Sequence, residues 1–208
     1  MDQSAKNSKT HAVCLTATAA LPTRFGVFKA QSFIGQHARH GGQDVVVFAL
    51  SMGEVADDCM VRLHSECLTG DVMGSLRCDC GQQLAASLNM IAQEKRGLLL
   101  YLLGHEGRGI GLSDKLKAYV LQDQGMNTLQ ANCALGHAGD ERNYDAAIAV
   151  LHDFGLKSIR LLTNNPEKIE ALELSGIRIT ARLPLWLEEN PHNATYLETK
   201  RDLMGHLR

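Results

Sequence analysis

Three cysteines are concentrated in one short polar segment, "CLTGDVMGSLRCDCGQQL", over residues 67–84. Cys67 opens the segment, and only Asp79 separates Cys78 from Cys80. Structural zinc sites usually close all four ligand positions, often with Cys-x2-Cys pairs, and this segment offers three thiolates in a different spacing. If the three thiolates bind one metal ion, the fold must bring both ends of the intervening loop to one point, and the fourth ligand position could be occupied by water.

Three interpretations of these cysteines remain open on the residues alone. A zinc with three protein ligands holds water at its fourth position and lowers the pKa of that water to about 7. A structural zinc would instead be completed by His64 or by a distant cysteine such as Cys133. The third interpretation, three unrelated buried thiols, is disfavoured because the cysteines cluster in polar sequence.

The order of apolar and polar runs predicts an α/β fold. Strands are predicted at "RFGVFKAQSF" and "QDVVVFAL", around the turn "GQHARHGG", and later at "CMVRLHSE", "LLLYLL", "KSIRLLT" and "IRITARLPL". Helices are predicted at "QQLAASLNMIAQEKRG", ending at Gly97, at "SDKLKAYVLQDQG", with Ser113 as N-cap and Gly125 after its end, and at "YDAAIAVLHDFG" and "PEKIEALELSG". The antiparallel opening predicts a mixed β-sheet with flanking helices. We expect a disordered tail over residues 1–12 and a single domain over residues 13–208.

Composition limits the classes of partner. A formal net charge of −2 argues against a protein that binds nucleic-acid polymers or membrane surfaces through a general basic excess. No apolar run reaches the roughly 18 residues of a membrane span, and no apolar segment follows the N-terminal charges. We therefore expect a cytoplasmic protein whose six cysteines are thiols and metal ligands.

A glycine-rich stretch, "GHEGRGIGLSDKL", follows the strand "LLLYLL". Glycines let backbone N–H groups approach an anion, Arg108 can bind phosphate with two parallel hydrogen bonds, and a helix N-terminus follows. A plain strand-to-helix connection is the alternative. "DERNY" and "TNNPEK" similarly place charged and hydroxyl side chains ahead of helices, where they either cap the helix or bind an anion.

Six segments taken together, in order, resemble GTP cyclohydrolase II, the enzyme family that opens the guanine ring of GTP at the start of riboflavin synthesis. They are "VRLHSECLTGD", "LRCDCG", "HEGRGIGL", "KLKAYVLQDQG", "DERNY" and "LLTNNPEKI". The resemblance implies one catalytic Zn²⁺ per chain on Cys67, Cys78 and Cys80, Mg²⁺ with the triphosphate of GTP, and a homodimer. The implied products are a diaminopyrimidine ribosylamine phosphate, formate and diphosphate.

The resemblance also implies roles for residues outside the cysteine segment. Asp140 corresponds to the proton acceptor, Arg142 to a nucleophile toward the α-phosphorus, and Tyr119 to an active-site tyrosine. The residues implied to contact GTP are Arg62, Leu63, His64, Ser65, Glu66, Gln83, Glu106, Gly107, Arg108, Thr128, Thr163 and Lys168. Because an arginine stays protonated below a pKa of about 12, electrostatic stabilisation of the transferred phosphoryl group is the competing role for Arg142.

Two positions depart from the family pattern. Leu103 stands where the family usually has arginine, and Asn143 where it often has an acidic residue. These departures leave open a paralogue that serves a secondary-metabolite pathway with the same or a formyl-retaining reaction. A zinc deaminase and a non-catalytic nucleotide-binding regulator are the other classes, although the deaminase Cys-x-x-Cys spacing is missing. Of the remaining histidines, we expect His105 to be a solvent-facing loop residue, whereas His137 is a candidate for proton transfer beside Asp140.

Overall fold

The computed structural model describes residues 13–36 and 44–207. The expected disordered tail over residues 1–12 and most of the predicted turn "GQHARHGG" lie outside this range. Among the described residues, the chain forms one seven-stranded sheet. Its strands are β1 (Val13–Thr23), β2 (Gly26–Gln36), β3 (Asp44–Met52), β4 (Cys59–Ser65), β5 (Gly97–Leu102), β6 (Ser158–Leu162) and β7 (Arg178–Leu183).

The sheet is mixed, as predicted. Its strand order is β1-β2-β3-β5-β4-β6-β7. The β1–β2, β2–β3 and β3–β5 pairs are antiparallel, whereas β4 runs parallel to both β5 and β6, and β6 parallel to β7. Strands β4 and β5 are almost entirely buried, as expected for parallel strands covered on both faces.

Strand β1 was missed by the sequence analysis. Its residues "VCLTATAALPT" alternate small and hydroxyl side chains and are mostly exposed, so the hydrophobic pattern of a strand is weak. The strand forms because the tight turn between Thr23 and Gly26 pairs it along the whole length of β2.

The helices are α1 (Leu68–Asp71), α2 (Cys80–Glu94), α3 (Gly111–Asp123), α4 (Thr128–Ala134), α5 (Asp145–Asp153), α6 (Pro166–Leu174) and α7 (Ala194–Leu203). Helices α5 and α6 contribute Ala147, Val150, Leu151 and Leu172 to the core on one face of the sheet. Leu88 and Ile91 of α2 cover the other face. None of the described helices is both long enough and apolar enough to cross a membrane.

Two predicted helix boundaries are wrong. Helix α3 begins at Gly111 with Ile110 as N-cap, so the proposed cap Ser113 lies inside the first turn. Helix α2 ends earlier than Gly97, because Lys95 adopts the left-handed conformation (φ 57°) that closes it. The predicted Gly125 is confirmed as the left-handed residue after α3 (φ 100°).

The parallel half of the sheet positions the candidate site. Strands β4, β5 and β6 point the same way, so their carboxyl ends meet at one sheet edge. Cys67 follows β4, the glycine-rich loop follows β5, and Thr163 follows β6. In open α/β sheets, this edge is where ligands bind.

Candidate active site

The three predicted cysteines come together at that edge. The Sγ atoms of Cys67, Cys78 and Cys80 all lie within 4.8 Å of one another, and those of Cys67 and Cys78 are 3.7 Å apart. Two thiolates bound at about 2.3 Å to one tetrahedral zinc are about 3.8 Å apart, so the spacing suits a single ion. We call these three residues the thiolate cluster.

The chain beside the thiolate cluster has no room for a larger residue than glycine. A Cβ atom added to Gly70 in α1 would lie 2.7 Å from the Sγ of Cys78 and 3.2 Å from that of Cys67. Real Cβ atoms essentially never come within 3.0 Å of another atom, as this one would of Cys78. Gly70 is therefore a condition for the convergence of the sulfur atoms.

His64 and Cys133 do not complete the thiolate cluster. The Nε2 of His64 lies 3.0 Å from the Oδ2 of Asp71, and the His64 ring stacks on Tyr101 at a centroid distance of 5.4 Å. The same Asp71 carboxylate accepts hydrogen bonds from the backbone N–H of Cys67 (3.0 Å) and the hydroxyl of Tyr101 (2.8 Å). His64 thus supports the loop that carries Cys67, and Cys133 is an exposed residue of α4.

A buried lysine that the sequence analysis missed contacts the thiolate cluster. The Lys115 ammonium donates to the Sγ of Cys67 (3.2 Å), the Oγ1 of Thr69 (2.8 Å) and the Oε1 of Glu106 (2.5 Å). Burial disfavours the charged ammonium, but Glu106 and Cys67 more than offset this effect and raise the pKa of Lys115. Hydrogen bonds from Cys78 and Cys80, together with Lys115, lower the pKa of Cys67. The site therefore favours an anionic sulfur.

Tyr119 lies next to the thiolate cluster, as the resemblance implies. Its hydroxyl is 3.3 Å from the Oγ1 of Thr69, and the Arg77 guanidinium lies 4.8 Å from its ring centroid. Burial raises the pKa of Tyr119, so the phenol keeps its proton at neutral pH. A protonated phenol in this position can donate a proton.

Two adjoining cavities open at the sheet edge. The first, the metal cavity, contains the thiolate cluster together with Glu66, Lys115, Tyr119 and Thr128. The second, the cationic cavity, is bordered by Gln83 and Thr163 and by basic side chains, which are Arg62, Arg108, Arg142, Lys168, Lys200 and His206. Ser65, Cys80, Arg108, Arg142 and Tyr196 line both cavities.

Arg108 has the least satisfied side chain of the site. Its side chain is 9% exposed, and both terminal guanidinium nitrogens are buried without a hydrogen-bond partner in the described part of the chain. Arg108 also adopts a positive φ of 67°, in the turn Glu106–Gly109 after β5. Burying an unpaired charge and holding a non-glycine residue in this conformation are both unfavourable, which points to a bound anion at this position.

Asp140 and Arg142 form a forked ion pair. The Arg142 Nε donates to the Asp140 Oδ1 at 2.9 Å, and a second Arg142 nitrogen contacts the Oδ2. Burial acts to raise the pKa of Asp140, but Arg142 more than offsets it and the pKa is lowered. Arg142 also reaches the Ser65 hydroxyl at 3.4 Å. Asp140 is therefore ionised, and its carboxylate is held against Arg142, which lines both cavities, although Asp140 itself lines neither.

Several other predicted residues bind the protein itself. Arg62 donates to the Leu162 carbonyl (3.0 Å) and to the Oε1 of Gln83 (2.6 Å). The buried Lys168 donates to the backbone carbonyl of Leu63 (2.7 Å), whose side chain is fully buried in the core. Burial is the largest cause that lowers the pKa of Lys168. These basic residues line the cationic cavity, and hydrogen bonds to other parts of the protein hold their side chains in place.

The acidic and hydroxyl residues are similarly anchored. Glu66 accepts from the backbone N–H of Gly104 (2.7 Å), and Glu106 from that of Leu68 (2.6 Å). Thr163 accepts from the backbone N–H of Asn165 (3.0 Å). Gly107, with φ 60°, allows the turn that presents Arg108.

The prediction for His105 is wrong. The residue is 9% exposed, its Nδ1 lies 3.2 Å from the Ser65 hydroxyl, and its ring meets the Tyr144 ring edge-on. Burial, followed by the charges of Arg142 and Lys168, lowers its pKa to about 3. The loop folds back over the sheet edge, so His105 lines the metal cavity as a neutral residue.

His137 does not line either cavity. Its two ring nitrogens bind Asp114 (2.8 Å) and Glu141 (3.2 Å), which ties the segment before Asp140 to α3. The departures at Leu103 and Asn143 border a third groove beside β3, which shares His105 and Arg142 with the metal cavity. Neither Leu103 nor Asn143 lines the metal or the cationic cavity itself.

The chain is similar to proteins of one known family. The family model described as GTP cyclohydrolase II matches residues 14–184. A riboflavin biosynthesis protein RibBA from Salinispora tropica is 51% identical over 197 residues, which cover 93% of this chain and 48% of that protein. The RibBA proteins of Aquifex aeolicus and Mycobacterium bovis are 49% and 50% identical and are covered over 46% and 45% of their length.

The chain spans about half the length of the curated relatives it matches. The family match, by contrast, runs from β1 to the end of β7. It includes the thiolate cluster and the residues that follow β4, β5 and β6 at the carboxyl edge of the sheet. The chain therefore belongs to the GTP cyclohydrolase II family.

Proposed function

We propose that this protein hydrolyses GTP, opening the imidazole ring of guanine with release of formate and diphosphate. The remaining product is a diaminopyrimidine ribosylamine phosphate, and we expect the enzyme to be a homodimer with one Zn²⁺ per chain and Mg²⁺ on the triphosphate. One observation carries the proposal: the thiolate cluster adjoins a cavity lined by basic residues, and Arg108 and Arg142 border both. A purine beside the metal and a triphosphate among the cations fit this arrangement.

The donor set suits zinc. Three sulfur atoms with the spacing of a tetrahedral site leave one position for a non-protein ligand. When bound, zinc would supply Lewis acidity and a water acidic enough to attack carbon at neutral pH. Lys115, held by Glu106, fixes Cys67 for this task through its contact with the sulfur.

The basic residues bind and orient the triphosphate. Arg108 presents two unpartnered nitrogens, which can form parallel hydrogen bonds to phosphate oxygens. Lys168 and Arg62 add positive charge from positions fixed by backbone carbonyls. Because burial in a cavity excludes water, these charges act more strongly on the departing diphosphate than they would in solution.

Tyr119 and Asp140 are the proposed proton-transfer groups. The pKa of Tyr119 is raised chiefly by burial, which suits donation to a ring nitrogen during opening. Asp140 is ionised and can accept a proton. The pKa of Arg142 is also raised, despite burial, by Tyr144 and Asp140, which supports stabilisation of the phosphoryl group rather than nucleophilic attack as its role.

The proposal is tested by product analysis. The full chain is incubated with GTP, Mg²⁺ and Zn²⁺, and formate, diphosphate, ammonia and the mass of the nucleotide product are measured. One formate and one diphosphate per GTP are expected. A product that retains the formyl group would indicate the alternative paralogue, ammonia would indicate a deaminase, and no turnover would indicate a regulator; each of these contradicts the proposal.

A matched pair of cysteine variants isolates the role of the metal. Cys80→Ser removes one sulfur of the thiolate cluster and should abolish both zinc retention and formate release. Cys133→Ser alters an exposed cysteine outside the cluster and should change neither. Formate release by zinc-free Cys80→Ser protein at the wild-type rate would contradict the proposed metal site.

A further inference from the structure

Helix α7 reaches the candidate site from beyond the family match, which ends at residue 184. Tyr196, Lys200 and His206 line the cationic cavity, and Tyr196 also lines the metal cavity. The segment is fixed by backbone hydrogen bonds from His206 to the Lys200 carbonyl (3.1 Å) and from Leu207 to the Asn164 carbonyl (2.8 Å). The C-terminal segment therefore forms one wall of the cavity.

The Lys200 side chain is held in that wall and lines the cationic cavity. Its Nζ donates to the Oδ1 of Asp79 at 2.7 Å and lies 4.4 Å from the Tyr196 ring centroid, and its side chain is 12% exposed. An ammonium has three donors, and Asp79 accepts one of them. Asp79 in turn accepts from Gln83 (2.5 Å), so the pair is tied to the start of α2. Lys200 has donor capacity left for a cavity ligand.

The cavity has more positive than negative charge. Asp140 is matched by Arg142 and Asp79 by Lys200, while Arg108 has no hydrogen-bond partner for either terminal nitrogen among the described residues. Burial and then four positive charges lower the pKa of His206 to about 3; the charges belong to Lys200, Arg142, Lys168 and Arg108. Cations this concentrated around one cavity suit a ligand with several negative charges.

We propose that Lys200 is a further substrate-binding residue, which binds a phosphate group of the nucleotide through the cationic cavity. The identity of the nucleotide rests on the function proposed above, whereas the preference for a polyphosphate rests on the cavity alone. Tyr196 positions Lys200 by contact of its ring with the ammonium. The hydrogen bond to Asp79 keeps the Lys200 side chain oriented until the phosphate is present.

Calorimetric titration with inorganic tripolyphosphate, in buffer without Mg²⁺, tests this role on the full chain. Lys200→Met should weaken binding by about tenfold, the effect of one hydrogen bond to a charged group. Lys200→Arg should retain most of the affinity. Arg201→Met is the matched control, since Arg201 lies on the same helix, pairs with Asp202 and lines neither cavity. It should bind tripolyphosphate as the wild type does.

A second variant separates binding from anchoring. Lys200→Met leaves Asp79 buried without its cation and is expected to lower the thermal midpoint. Asp79→Asn combined with Lys200→Met removes both charges, and should recover much of the midpoint while tripolyphosphate binding stays about tenfold weaker. Wild-type affinity in the double variant would show that Lys200 acts only through Asp79, and would overturn the proposal.

The two proposals fail in different ways. Wild-type protein that binds tripolyphosphate in a Lys200-dependent manner but releases no formate from GTP would refute the ring-opening function and support the Lys200 site. Formate release combined with undiminished tripolyphosphate binding by Lys200→Met would refute the Lys200 site alone.

Discussion

The buried ion pair between Lys115 and Glu106 lies beside the thiolate cluster and should contribute strongly to the free energy of unfolding. Both side chains are nearly buried, at 9% and 8% exposure, and their charged atoms are 2.5 Å apart. Lys115→Met would leave the Glu106 carboxylate in the interior without a cation. Removal of one partner of a buried pair costs about 3–5 kcal/mol of unfolding free energy, and the backbone N–H groups of Leu68 and Gly107 on Glu106 favour the lower end.

Urea unfolding of metal-free, reduced protein, followed by circular dichroism, measures this loss. Lys117→Met is the matched control, because Lys117 lies on the same helix and is 65% exposed in its pair with Asp114, so no measurable change is expected. Glu106→Gln combined with Lys115→Met should recover most of the lost stability, since neither buried charge remains. Equal, small effects of Lys115→Met and Lys117→Met would show that an unpaired Glu106 carboxylate carries no large cost in unfolding free energy.

Three further outcomes are expected. Arg108→Met removes an unpartnered buried guanidinium, so the thermal midpoint should be unchanged or higher, while tripolyphosphate affinity measured by calorimetry falls about tenfold or more; a lower midpoint with unchanged affinity would contradict this. Gly70→Ala pushes a methyl group against Cys78, and the overpacking should weaken zinc binding, measured by chelator competition, by about 1–3 kcal/mol; wild-type affinity would contradict the fit. The hydrogen bond to Asp114 is the main cause that raises the pKa of His137. Its stabilisation is therefore complete below the unfolded-state pKa of about 6.5 and is lost as pH rises through the folded-state pKa. The difference in urea midpoint between wild type and His137→Gln should be larger at acidic than at alkaline pH, and a difference independent of pH would exclude this linkage.

The sequence predicted the parts of the site that are formed by residues close together in the chain. The unusual spacing of Cys67, Cys78 and Cys80 indicated a three-sulfur site, and the structure brings these atoms together. The glycine-rich turn indicated that Arg108 faces a bound anion. Gly107 and Gly109, on either side of it, adopt the left-handed backbone conformation, which few residue types other than glycine tolerate. The mixed sheet followed from the early hairpin and the later alternation of strands and helices.

The parts that were missed depend on contacts between distant segments. Lys115 was overlooked because its helix also carries exposed charges, although its position four residues before Tyr119 places both on one helical face. Lys200 meets Asp79 only after the chain returns across the site, and no local pattern reports this pairing. His105 was misplaced because burial of a polar loop depends on what the loop folds against.

We propose that the thiolate cluster holds a zinc ion with one position free of protein ligands. X-ray absorption spectroscopy at the zinc edge, on protein without GTP, measures the number and type of the atoms bound to the zinc. Three sulfur neighbours at about 2.3 Å and one light, exchangeable oxygen neighbour are expected. Four sulfur neighbours, or three sulfurs with the multiple-scattering signature of a histidine ring, would contradict it.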